Sequence, residues 1–196
     1  MGMTVLVTKP AEDGRKARSE ASRRAIVAAM LALVRDGNVA PSAEDVAARG
    51  KVGLRTVFRH FENMDSLYRE MSALMRAEIV PLAEKPFVSI GWRANLDELI
   101  ACRAELFERI LPVKVASDVV QHRSDFVKAD SARLVRMQRR ALEDLLPPAV
   151  RNDPVLLEAL DLALSFDSWR RLRRDQKLPP AKARAVMEEM ATRLLR

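Results

Sequence analysis

Apolar positions recur along this chain at three- and four-residue steps, and the strict alternation of a half-buried strand is absent. Ile26, Met30, Leu33 and Val34 share one helical face. That spacing predicts a first helix starting near Ser19 or Ser22, either of which can cap it. Gly37 should end it, because a left-handed C-terminal residue is cheapest for glycine. Pro41 and Ser42 open a second helix, with Ser42 as cap and Asp45 three residues on as its partner in an approximate capping box. Ala43, Val46, Ala47 and Gly50 form its buried stripe. Leu54, Val57, Phe58 and Phe61 mark the inner face of a short third helix. Asn63 or Asp65 caps a fourth, with Leu67, Met71, Leu74 and Met75 inward, ending at Pro81.

Between 81 and 94, Pro81, Pro86 and Gly91 interrupt the periodicity and predict a boundary between a small N-terminal unit and a larger one. Longer helices follow over 95–111, stopped by Pro112, over 117–146, stopped by Pro147 and Pro148, and over 152–175, stopped by Pro179. A last helix runs from Pro180 to the end. No internal repeat or low-complexity tract is visible, and the expected fold is all-α.

Composition narrows the function classes. The 196 residues are 48% hydrophobic, enough for a substantial core. Six glycines and one tyrosine disfavour a Gly-rich nucleotide fold and a β-sandwich. The one cysteine, Cys102, makes neither an internal disulfide nor a cysteine metal site, which reads as a cytoplasmic chain. His60 and His122 lack ligand spacing, so no metal and no cofactor is expected. No apolar run approaches the ~18 residues of a membrane helix, and no signal peptide or myristoylation pattern opens the chain. Catalytic motifs are absent, and an enzyme is not expected.

Charge points elsewhere. Lys and Arg number 34 against 27 acids, a net charge of +7. Residues 1–19 hold Lys9, Arg15, Lys16 and Arg18 and read as a flexible basic arm, either merely solvated or in contact with a polyanion. Between Asp45 and Glu62 stand Arg49, Lys51, Arg55 and Arg59 and no acid. With Leu54, Val57, Phe58 and Phe61 turned inward, the third helix must present Arg55, Thr56 and Arg59 outward, with His60 at the flank. A short, supported helix with a basic, hydrogen-bonding face suits the DNA major groove, where Arg can bond guanine bidentately and Thr can touch base edges. A solvated charged surface is the plainer alternative.

The segment 42–61, SAEDVAARGKVGLRTVFRHF, resembles the helix-turn-helix of the tetracycline-repressor family of bacterial transcription regulators. The likeness covers roughly 22–70: Val46-Ala47, the turn at Gly50 to Gly53, then Thr56 to Phe61, with matching flanking helices. It implies a DNA-binding domain over 20–64 and an effector-binding and dimerisation domain over 65–196. It implies that Arg55 and Thr56 lie near bases, that His60 lies near the DNA backbone and that Ser42 reaches a phosphate; Arg59 and Lys51 join these candidate DNA contacts on their charge. Phe58 stands where the family has a Tyr that bonds a phosphate, and Met64 where it has a Lys. Lys51 and Gly53 replace the usual Gly and Ser of the turn. A left-handed Lys51 would cost roughly 1 kcal/mol unless Gly50 absorbs the bend.

The C-terminal segment FDSWRRLRR, with Phe166, Trp169, Arg170, Leu172 and Arg173, is more loosely similar to the last two helices of many members, which pair across a homodimer. The helix over 152–175 is apolar nearly all round and needs cover, from a partner subunit or from its own core. The expected interface is Leu156, Leu160 and Leu164 with Val186, Met190 and Leu194. On the helix over 95–111, Arg103 falls on the apolar stripe and must either pair with an acid such as Asp125, Asp130 or Asp167 or recognise an anionic ligand. Cys102, Phe107, Phe126, Met137, Phe166 and Trp169 are the candidate pocket wall, or simply core. The expected protein is a homodimeric repressor, released from a palindromic duplex operator by a small-molecule effector. The alternative is a helical protein-interaction module whose degenerate helix-turn-helix no longer binds DNA.

Overall fold

The computed structural model describes residues 10–196, with side chains from residue 14. Within that range the chain is helical, without strands: α1 (Pro10–Arg35), α2 (Ala43–Arg49), α3 (Leu54–His60), α4 (Met64–Ala83), α5 (Trp92–Val120), α6 (Asp125–Leu145), α7 (Pro148–Arg151), α8 (Pro154–Ala163), α9 (Phe166–Arg170) and α10 (Pro180–Leu194). A 3-10 turn follows α5 at Gln121–Arg123, and a π turn extends α9 over Arg171–Asp175. The chain divides into two units after Ser72, inside α4.

In the first unit α1 buries Ile26, Met30 and Val34, with Val27 and Leu31 beside them. It begins at Pro10, so residues 10–19 are helix and not a loose arm; the rest of the expected arm, 1–9, lies outside the described residues. Gly37, at φ 97°, ends α1 as predicted: its N–H reaches Val34 O at 3.1 Å, and that of Asn38 reaches Leu33 O at 3.0 Å. The Ser42–Asp45 capping box is complete, at 3.1 and 2.9 Å. Its hydrogen bonds hold the exposed Asp45 carboxyl below its ordinary range. Asn63 caps α4, its side chain accepting Ser66 N–H at 2.9 Å.

The second unit corrects several expected boundaries. Pro112 does not stop α5, which runs on to bury Val113, Ala116 and Ser117, nor does Pro81 stop α4. Burial on both sides of Pro112 outweighs the one helical hydrogen bond that proline removes. The segment 117–146 is the end of α5, a turn, and α6. The segment 152–175 breaks after Leu164, where Ser165 caps α9 by accepting Ser168 N–H at 3.2 Å. The core here is Ile100, Phe107, Leu142, Leu160, Leu164, Trp169 and Met187. Phe107 and Phe166 meet edge to face, centroids 5.6 Å apart.

Candidate nucleic-acid interface

A seven-residue helix is far below the length at which an isolated helix holds its shape. Two anchors fix α3: Val57 and, just past its end, Phe61, both buried. Arg23 of α1 supplies a third. Its guanidinium donates to His60 O at 2.9 Å, satisfying a carbonyl at the end of α3, and lies 4.6 Å from the centre of the Phe61 ring. Glu70 of α4 orients it through paired contacts, with Arg23 Nε at 2.9 and 3.1 Å from the two carboxylate oxygens. These contacts link residues up to 47 apart in sequence, and no local pattern announces them.

With Val57 and Phe61 inward, Arg55 and Arg59 point out and are exposed, with Thr56 half-exposed beside them. Among the described residues, Arg55, Arg59 and Lys51 make no ion pair; Arg49 is engaged by Asp36 at 2.5 Å. Two expected inner residues are not inner. Leu54 is 37% and Phe58 51% exposed, so the inner face is narrower than the pattern suggested and the outer face carries an aromatic ring beside its cations. Within α3 only Val57 is buried, with Phe61 just past its end under the Arg23 guanidinium.

The turn before α3 divides its work between two residues. Gly50 has an ordinary helical conformation, φ −78°, and does not absorb the bend. A Cβ there would lie 3.1 Å from Val46 O and 3.4 Å from the Ala29 Cβ, so glycine lets α2 close onto α1. The left-handed residue is Lys51, at φ 52°. Its N–H bonds Ala48 O at 3.3 Å while that of Val52 bonds Ala47 O at 3.0 Å, the helix-ending arrangement that ordinarily carries glycine. Gly53 then begins α3 with extended geometry and no side-chain cap.

Ser42 is exposed, and its oxygen accepts the Asp45 N–H. His60 is half-buried at the end of α3, and its Nε2 is buried without a hydrogen-bond partner. Burial first, then the charges of Arg59 and Arg23, lower the pKa of the imidazole below the ordinary histidine value.

The expected effector residues scatter. Arg103 is 3% exposed and faces none of Asp125, Asp130 or Asp167. It donates to Leu164 O at 2.9 Å and to Gln138 O, tying α5 to the end of α8 and to α6. Burial lowers its pKa to about 10, with nearby Asp161 opposing the shift. Arg103 is therefore a structural tie. Phe107 is core, Phe126 is half-buried and Met137 is exposed, and none of them lines either of the two clefts that Cys102, Trp169 and Phe166 border. Cys102 and Trp169 border a cleft of about 680 Å³, and Phe166 a separate one of about 540 Å³.

The expected interface residues also divide. Leu160 and Leu164 are wholly buried in this chain, where α8 packs against α10 and α6, whereas Leu156, Val186 and Met190 are half-buried and Leu194 is exposed. The outward residues of α8 are Val155, 78% exposed, and Leu162, 68% exposed, which the periodicity did not single out. On α10 the inward stripe is Ala183, Met187 and Ala191.

No family model and no curated protein matches the chain. Two solved structures do. A transcriptional regulator from Rhodococcus sp. Rha1 superposes with a TM-score of 0.68 at 17% identity, over 90% of this chain and 95% of that one. NalD, the secondary repressor of the MexAB-OprM multidrug efflux pump in Pseudomonas aeruginosa, does so with a TM-score of 0.56 at 23% identity, over 89% and 95%. At these identities the likeness shows the fold: the chain has the all-helical architecture of these regulators along nearly its whole length.

Proposed function

We propose that the chain is a DNA-binding transcriptional regulator of the tetracycline-repressor type, acting as a homodimeric repressor that a small-molecule effector releases from a palindromic operator. The observation that carries this reading is the outward ridge of α3, where Arg55 and Arg59 lack ion-pair partners among the described residues and Thr56 stands beside them on a helix anchored by Val57 and braced at its C-terminal end. Phosphate contacts from Lys51 and Ser42 would set its register in the groove, and Arg and Thr would read base edges. Both fold neighbours being transcriptional regulators supports the same reading.

Two copies would join through the exposed face of α8, Val155 and Leu162, together with Val186, Met190 and Leu194 of α10, a self-complementary contact about a two-fold axis. Half-sites would then lie about one DNA turn, ~34 Å, or more apart. Effector and operator would favour different spacings of the two heads, so that binding of one lowers affinity for the other, with α4 as the lever.

Exposed Phe58 and Leu54 favour the second reading, a protein-docking head, since apolar exposure on a short helix also suits a protein partner. A salt titration on duplex DNA from the chain's own promoter separates the two. A regulator's binding weakens steeply and linearly in log[salt]; a docking head binds the duplex negligibly at any salt.

A further inference from the structure

We infer that the cleft between the end of α4, the loop over 84–91, α5 and the start of α10 binds an amphipathic anion, an apolar body bearing one carboxylate, and that Lys85 holds its charge. This deepens the effector reading and rests on it only for the consequence at DNA. At about 680 Å³ the cleft is in the range of sites that take one drug-sized molecule. Leu82, Leu99, Trp169 and Pro180 furnish apolar wall. Cys102 belongs to that wall too: its thiol donates to Leu82 O at 3.4 Å, and burial raises its pKa, so it stays a protonated thiol rather than a nucleophile.

The charges on the wall decide the ligand's sign. Three carboxylates stand there, and each is engaged. Glu98 accepts the backbone N–H of Ser89 at 2.7 Å and of Val88 at 3.1 Å. Glu105 pairs with Arg109 at 2.7 Å. Glu108 accepts from Arg173 at 2.6 and 2.8 Å and from the Trp169 indole at 3.2 Å. On the cationic side, Arg109 is engaged by Glu105 and Arg184 by Glu188 at 2.6 Å. Lys85 remains: among the described residues its ammonium makes no ion pair and no hydrogen bond. An entering cation would find only carboxylates already in use and the repulsion of Lys85; an entering anion finds the exposed Lys85 ammonium, which acts on Glu98 through space but makes no direct pair, beside an apolar wall. Exposed Phe87 and Val88 continue that wall to the rim, where the two hydrogen bonds to Glu98 hold the loop in place.

The test uses the full chain carrying Trp92→Phe, so that all tryptophan emission comes from Trp169 on the cleft wall. Dodecanoate, dodecan-1-ol and dodecylammonium are titrated below their micelle concentrations. Dodecanoate should shift the emission saturably and bind more tightly than the other two, by up to about fivefold, the upper range for an exposed ion pair. Lys85→Gln should bring dodecanoate down to the affinity of the alcohol and leave the alcohol unchanged. Absence of saturable binding, equal or tighter binding of the ammonium, or indifference of dodecanoate to Lys85→Gln overturns the inference. The same titration with promoter DNA present separates the two claims. Release of DNA supports both, whereas dodecanoate binding with unchanged DNA affinity upholds the cleft's ligand class and removes its effector role.

Discussion

Lys51 sits at a position built for glycine. Its left-handed backbone costs roughly 1 kcal/mol in an L-residue with a Cβ, and the retention of a cation there fits a role at a polyanion. Lys51→Gly should raise stability by about that 1 kcal/mol, seen as a higher urea midpoint, and weaken binding to duplex DNA. The sequence made this conflict visible, because a Lys stands in the turn where the resembled family has Gly. It did not show that Gly50 serves helix approach instead of the bend, since that depends on Ala29 from another helix. His60 supplies a pH test at the same scale. Its folded pKa lies below the ordinary 6.5, so the unfolded chain takes up the proton first. The associated stability is complete above about pH 6.5 and is lost as pH falls through the folded value. Urea midpoints at pH 7.5 and 5.5 should fall further apart in the wild type than in His60→Leu.

At the scale of elements, local pattern and tertiary contact divide the credit. The capping box, the glycine stop of α1 and the order of α1 to α4 were legible, because they rest on residues three to eight apart. The exposure of Leu54 and Phe58 was not, since helical spacing tells which residues share a face but not how much of it a partner covers. The passage of α5 through Pro112 and the break at Ser165 escaped for a related reason: packing overrides one missing hydrogen bond, and a serine inside an apolar run gives little sign that it will cap. The Arg23–Glu70 brace belongs here too. Because the planar fork serves His60 O, Glu70 and the Phe61 ring together, a lysine of equal charge cannot replace it. Arg23→Lys should lower the urea midpoint, by about 1 kcal/mol after discounting for solvent screening. It should also weaken duplex binding although net charge is unchanged. An effect on neither measurement would show that α3 is held without the brace.

For the whole molecule, the exposed apolar side chains of the second unit include Val155 and Leu162 on α8, as well as Val88 and Ile90 on the loop before α5. Val155 and Leu162, seven residues apart on the side of α8 opposite the buried Leu160, leave an apolar face that a monomer would waste. Leu162→Glu should convert a dimer to a monomer by sedimentation while helix content stays constant, whereas Leu160→Glu, at a core position, should unfold the second unit. If Leu162→Glu leaves the mass of the native particle unchanged, the association surface lies elsewhere. Charge was the most legible global property, yet net charge alone does not locate an interface, because Arg171 and Arg174 are as exposed as Arg55 and Arg59.

That equivalence provides the most direct measurement. Two double variants, Arg55→Ala/Arg59→Ala and Arg171→Ala/Arg174→Ala, remove the same charge from different places, and both are titrated on the chain's own promoter duplex at fixed salt. The account predicts at least about a thirtyfold loss for the α3 pair, from about 1 kcal/mol or more per base-reading arginine, and less than about threefold for the other. Equal losses would reduce the binding to unspecific charge, and no loss from the α3 pair would contradict the account outright.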